Sequence, residues 1–178
     1  MYLLLDHGAD VNAKDEYEET PLCSAYHGRH VEVMRLLLKH GAHADAPCYL
    51  CGTLLNNASR HGRIEVVLLL LQHNVNVNDP SGDFMWTALH YASADGHAKV
   101  VKLLLEHGPD VNALDEAHNT PLWLASGQGY FEVGQVLLEH RADVHIRGNG
   151  NLTPFQIATF NKHIGLAQLL LGHGAQEE

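Results

Sequence analysis

Apolar residues recur along the chain in short bursts spaced three and four apart, each followed by a polar break that contains Gly, Asn or Arg. Val133, Val136 and Leu137 supply one such i, i+3, i+4 face, which predicts an inward-packing helix from about Phe131 to His140. The same reading holds for Val31 to His40, Ile64 to His73, Lys99 to His107 and Ile164 to His173. A shorter helix precedes each. Its start is clearest at Thr120-Pro121-Leu122, where the hydroxyl caps an orphan backbone N–H and Pro occupies the first helical position, at which its missing donor costs nothing. This helix runs to about Gln128. After the second helix, Asp143-Val144-His145 leads into an exposed turn that ends just before the next threonine.

The units repeat with a fixed period. Thr20, Thr53, Thr87, Thr120 and Thr153 are separated by 33, 34, 33 and 33 residues. A second comb, Gly8, Gly41, Asn74, Gly108, Arg141 and Gly174, steps by 33, 33, 34, 33 and 33, so one extra residue lies between Asn74 and Thr87. A period of this size means a solenoid whose units cannot bury their apolar faces alone. The spacing divides a single domain, 1–178, into a partial N-terminal repeat (1–15) and repeats at 16–48, 49–82, 83–115, 116–148 and 149–178.

The run Thr87-Ala-Leu-His-Tyr-Ala-Ser-Ala-Asp-Gly-His-Ala-Lys-Val-Val-Lys-Leu-Leu-Leu-Glu-His-Gly resembles the ankyrin repeat, as does Gly8-Ala-Asp-Val-Asn-Ala-Lys-Asp. The resemblance covers essentially the whole chain. It implies an all-α ankyrin-repeat solenoid, an α/α superhelix of helix-turn-helix repeats with projecting β-hairpin-like loops and a concave groove. It also implies binding of another protein through the groove and hairpin tips, without enzymatic activity in the repeats. The sequence departs from the pattern at several places. Only His90 keeps the His of the family's Thr-Pro-Leu-His motif; Cys23, Asn56, Trp123 and Gln156 stand at the matching positions, which weakens a continuous polar ladder between first helices. Gly52-Thr-Leu-Leu-Asn lacks the Pro, while Asn74 and Arg141 replace the left-handed Gly, so irregular geometry is expected in those two repeats. Met1 to His7 resembles a second helix without its partner, an apolar edge that a second copy of the chain would cover.

Composition narrows the function classes. With 46% hydrophobic residues the 178-residue chain builds a core, and 11 Lys and Arg against 21 Asp and Glu give a net charge of −10. That balance argues against nucleic acid and anionic membrane as partners. Three cysteines form no even disulfide set and no targeting segment precedes the repeats, so an intracellular reducing compartment, cytoplasmic or nuclear, is expected.

Candidate chemistry is sparse. No nucleophile elbow, dinucleotide or phosphate loop, or His-Glu-x-x-His helix occurs, and the carboxylates are dispersed. No enzyme activity and no cofactor are expected. Cys48-Tyr-Leu-Cys51 has the spacing of half a zinc knuckle with His43 nearby, but no second pair follows, and register places both thiols in an exposed turn, with Cys23 in a first helix. His7, His40, His73, His107, His140 and His173 recur once per repeat, in the last helical turn, where an imidazole meets the negative end of the dipole and hydrogen-bonds a spare carbonyl.

Binding carries more signal. The resemblance places Glu16, Tyr17, Glu19, Tyr49, Leu50, Asp83, Phe84, Trp86, Glu116 and Asn119 in the turn tips, and Arg60, His61, Asp95, Gln128 and Phe160 toward the concave face. Phe84-Met85-Trp86 is costly in a solvated turn unless it packs on something. It either fills space between adjacent turns or, with Tyr17 and Tyr49, centres a partner site of the kind in which aromatics act as hot spots. Glu16, Glu19, Asp83, Asp95 and Glu116 favour a partner protein with a basic or mixed apolar and basic surface. The expected molecule is a monomeric protein-binding scaffold or adaptor; the alternative is a structural or targeting fragment of a larger multidomain protein.

Overall fold

Five threonines start five helices in the same way. Thr20, Thr53, Thr87, Thr120 and Thr153 adopt extended backbone, and each hydroxyl accepts the N–H three residues on, at 3.1 to 3.5 Å. In the computed structural model, residues 7–48, 52–80 and 84–176 are described. The capped helices are α1 (Pro21–His27), α3 (Leu54–Arg60), α5 (Ala88–Ala94), α7 (Pro121–Gln128) and α9 (Pro154–Phe160). Each is followed by an antiparallel second helix: α2 (Val31–Lys39), α4 (Ile64–Leu71), α6 (Ala98–Leu105), α8 (Phe131–Glu139) and α10 (Ile164–Gly172). Strands β1 (Pro47–Cys48) and β2 (Gly52–Thr53) pair antiparallel, Pro47 opposite Thr53, in the first projecting hairpin.

Columns of equivalent residues build the core. Ala25, Ala58, Ala92, Ala125 and Ala158 are all buried, and from α3 onward these small side chains let successive first helices pack directly on one another. Leu37, Leu70, Leu104, Leu137 and Leu170 form a second fully buried column along the second helices. One substitution pair is compensated between repeats. A Cβ on Gly134, in the middle of α8, would lie 2.5 Å from Leu166 Cδ1. Leu166 stands where other repeats carry Val33, Val66, Val100 and Val133, so the glycine makes room for the larger neighbour.

The two repeats expected to be irregular keep regular caps and helices where they are described. Thr53 caps α3 without help from a proline, and the helices of that repeat match their neighbours in length. Asn74 (φ 54°) and Arg141 (φ 66°) take the same left-handed position as Gly41 (φ 87°) and Gly108 (φ 72°). Arg141 therefore bears the Cβ penalty rather than adopting another cap. Arg141→Gly is expected to raise the unfolding free energy by about 0.5–1 kcal/mol after the extra unfolded-state entropy of glycine is offset. Urea denaturation of the two proteins checks this, and an unchanged or lower midpoint contradicts it.

The weakened ladder is also corrected. Asn56 Nδ2 donates to the Trp86 carbonyl at 3.2 Å, His90 Nε2 to that of Asn119 at 3.2 Å and Trp123 Nε1 to that of Leu152 at 3.0 Å. Cys23 Sγ lies 3.9 Å from the Pro47 carbonyl. Unlike side chains thus do one job, holding the next turn to the first helix. A second ladder runs through the turns, where Asn12, Asn78 and Asn112 accept the N–H groups of His43, Asp110 and Asp143 at 2.8 to 2.9 Å.

The histidine column behaves as expected at four positions. Nδ1 of His40, His107, His140 and His173 lies 2.8 to 2.9 Å from the carbonyl four residues back. A separate row escapes the sequence reading. His97, Tyr130 and His163, just ahead of their second helices, lay their rings over Gly62, Gly96 and Gly129 of the preceding repeat. His97 Nε2 reaches the Arg60 carbonyl at 2.9 Å, and a Cβ on any of those glycines would strike a ring at 2.4 to 2.7 Å. The expected N-terminal edge at Met1 to His7 lies, apart from His7, outside the described residues.

Candidate functional site

The turn before Thr120 is built on one carboxylate. Asp115, buried, accepts the N–H groups of Ala117 (2.9 Å) and Asn119 (2.7 Å) on Oδ1, and Asn119 Nδ2 (3.0 Å) on Oδ2. Oδ2 also accepts the indole N–H of Trp86 at 2.9 Å, so this turn fixes the aromatic of the preceding one. The Phe84 carbonyl accepts the Glu116 N–H at 3.3 Å, a further tie between the two turns.

Trp86 is accordingly half-buried. It stacks on His90, with ring centroids 6.4 Å apart, and meets Tyr91 edge-on at 5.1 Å. Phe84 sits 6.0 Å from Trp86 on the outer side and is 61% exposed. On the inner side the Arg60 guanidinium lies 6.0 Å over the Tyr91 ring and 4.0 Å from the Asp95 carboxylate. The result is a continuous strip, Phe84, Trp86, Tyr91, Arg60, Asp95, that runs from a turn tip down the first helices of two repeats. An apolar, flat tip grades into a charged base. Such a strip offers aromatic area to a partner's side chain together with one guanidinium and one carboxylate for polar contacts.

The sequence-derived candidates divide clearly on this surface. Phe84, Trp86, Arg60 and Asp95 come together in the strip. Tyr17 is 60% exposed at its own turn tip with Glu16, Glu116 is exposed on the turn tied to Phe84, and His61, Gln128 and Phe160 (78%) are exposed outside the strip. Asn119 is corrected: it is buried, and its side chain accepts the Asn149 N–H at 2.8 Å, so it supports the turns and touches no solvent face. Glu19 is half-buried beside His27. Tyr49, Leu50 and Asp83 lie outside the described residues. Tyr91 was missed because its place in a short helix reads as core; the signal was Trp86 four residues before the ladder His90, close enough to meet the next ring.

His90 and Cys23 are titratable groups shifted from their ordinary values. Burial pushes the His90 pKa below its ordinary value, against the raising pull of the Asn119 carbonyl. The Thr87 N–H, 3.2 Å from Nδ1, places the ring proton on Nε2, toward Asn119. The Cys23 thiol is lowered to about 7, chiefly by its hydrogen bond to Cys48, with burial opposing. Cys48 itself is corrected from an exposed turn to a buried strand position, because β1 folds back against α1; Cys51 lies outside the described residues. Among the described residues, Glu19, His27 and Cys48 bring possible metal-ligand atoms within 4.8 Å of one another.

The comparisons with known proteins agree with this architecture. A sequence profile described as Ankyrin repeats (3 copies) matches residues 1–81 and 55–148. No curated protein matches the chain. Among the described residues, no helix is long and apolar enough to cross a membrane.

Proposed function

This chain belongs to the ankyrin-repeat family, and from that premise we propose that it is a scaffold or adaptor that grips a partner protein through the Phe84–Trp86–Tyr91–Arg60–Asp95 strip. The fold is a non-catalytic structural and protein-interaction module, consistent with a protein-binding scaffold. The observation that carries the finer reading is Phe84. A phenylalanine held 61% exposed at the end of an ordered aromatic row has its contact area already oriented, so little entropy is lost when a partner covers it. Asp95 in the strip, Glu116 on the adjoining tip and Glu16 two tips away favour a partner with a mixed apolar and basic surface. A cytoplasmic or nuclear setting fits the three cysteines, which form no even disulfide set.

The test compares proteins captured from lysate by the wild-type chain and by Phe84→Ser/Arg60→Glu, both side chains being exposed enough for the variant to fold. The expected result is loss of a specific captured protein, with affinity of the purified pair down at least about 30-fold, as for a hot spot worth about 2 kcal/mol. Equal capture by a variant of unchanged circular dichroism would move the site off the strip.

A further inference from the structure

Beside the first hairpin three side chains from different elements converge. Glu19 comes from the turn before α1, His27 is the last residue of α1 and Cys48 ends β1. His27 Nε2 lies 3.5 Å from Cys48 Sγ and 3.5 Å from Glu19 Oε1. One ring nitrogen carries either a proton or a lone pair, so it cannot serve as acceptor for the thiol and donor to the carboxylate together. The nitrogen–oxygen separation is moreover longer than an ordinary hydrogen bond of about 2.7–3.2 Å. A tetrahedral ion with bonds of about 2.0 to 2.3 Å sets neighbouring ligand atoms roughly 3.3 to 3.6 Å apart, which is the spacing seen at both edges.

We propose that Glu19, His27 and Cys48 bind a divalent transition-metal ion of the zinc class, with the fourth coordination position open to solvent. Thiolate and imidazole in one site select zinc or its neighbours over calcium and magnesium. The approach is open: the His27 and Glu19 side chains are 46% and 20% exposed, while Cys48 is buried behind them. On binding, Cys48 releases its thiol proton to solvent and its sulfur becomes the third ligand. The ion ties the end of α1 and the turn before it to the hairpin that follows α2, and so joins segments about twenty to thirty residues apart. The Cys48–Cys51 spacing alone lacks a second ligand pair; this site takes its other ligands from α1 and its preceding turn.

The full chain, kept reduced, is titrated with zinc against a chromogenic chelator and with cobalt by absorption. One zinc per chain is expected, together with the visible bands of four-coordinate cobalt and a near-ultraviolet thiolate-to-cobalt band. His27→Ala, an exposed position that leaves folding intact, and Glu19→Gln weaken binding at least about tenfold, since even partners outside the ligand set cost that much. Cys48→Ser removes the thiolate band, and Cys51→Ser leaves it in place. No stoichiometric binding, or binding indifferent to His27→Ala, overturns the proposal. Loss of the band in Cys51→Ser with retention in His27→Ala overturns it too, by assigning the ion to the cysteine pair.

Discussion

Asp115→Ala is expected to lower the unfolding free energy by about 3 kcal/mol or more, a loss that no other single turn carboxylate should match. The carboxylate collects four donors: the N–H groups of Ala117 and Asn119, the Asn119 amide and the Trp86 indole. Alanine leaves them facing a gap in a buried turn. Each buried donor left unpaired costs about 1–3 kcal/mol, and water reaches some of them because Ala117 is exposed. The control is Asp15, the equivalent position three repeats earlier. Its Oδ1 accepts the N–H groups of Tyr17 and Glu19 at 2.9 Å, but the residue is exposed, so solvent replaces what Asp15→Ala removes. A cost below about 1 kcal/mol is expected there. Urea denaturation followed by circular dichroism measures both, and equal losses would show that burial of the turn does not set the energy. Because Asp115 also aims the Trp86 ring, the same variant should bind a strip-directed partner more weakly than its remaining folded fraction explains.

The capping threonines, the left-handed comb and the leucine column were legible because each position keeps one residue type or one conformational demand. What was hidden depended on equivalence of position without equivalence of side chain. Asn56, His90 and Trp123 share no chemistry beyond an N–H at the right reach, and only the geometry shows that all three hold the carbonyl before the next capping threonine. Asn119 looked like a surface turn residue because turns are usually solvated, whereas stacking of the Asp115 turn on its neighbours buries it. Cys48 was misplaced for the same reason: loop register says nothing about whether a hairpin folds back on the preceding helix. The Phe84–Trp86 pair was found from its cost in a turn, while Tyr91 and its packing required knowledge of which face of α5 meets the turn. The glutamate, histidine and thiol beside that first hairpin are separated by eight and 21 residues, spacings that match no linear ligand motif.

Leu104→Ala is expected to cost about 3–4 kcal/mol and to change the shape of the unfolding transition as well as its midpoint. The side chain is fully buried in α6, the middle second helix, and its removal loses both transfer energy and packing around the cavity. In a solenoid each repeat touches only its neighbours, so cooperativity depends on repeat-to-repeat interfaces rather than on one shared core. Weakening the central unit uncouples the two sides. The denaturation curve should broaden or split, with an apparent m-value below that of the wild type. Leu170→Ala removes the same side chain at the same depth in α10, the final helix pair of these residues. There the loss should appear as early fraying of one pair, which Trp123 senses through its bond to the Leu152 carbonyl, while in a Trp123→Phe background Trp86, in the repeat at 83–115, reports a nearly unchanged transition by fluorescence. Amide exchange gives the independent check: accelerated exchange in both flanks for Leu104→Ala, and in α9 and α10 alone for Leu170→Ala. Identical broadening in the two variants would mean that the columns act as one core, and that position along the stack does not decide how the fold comes apart.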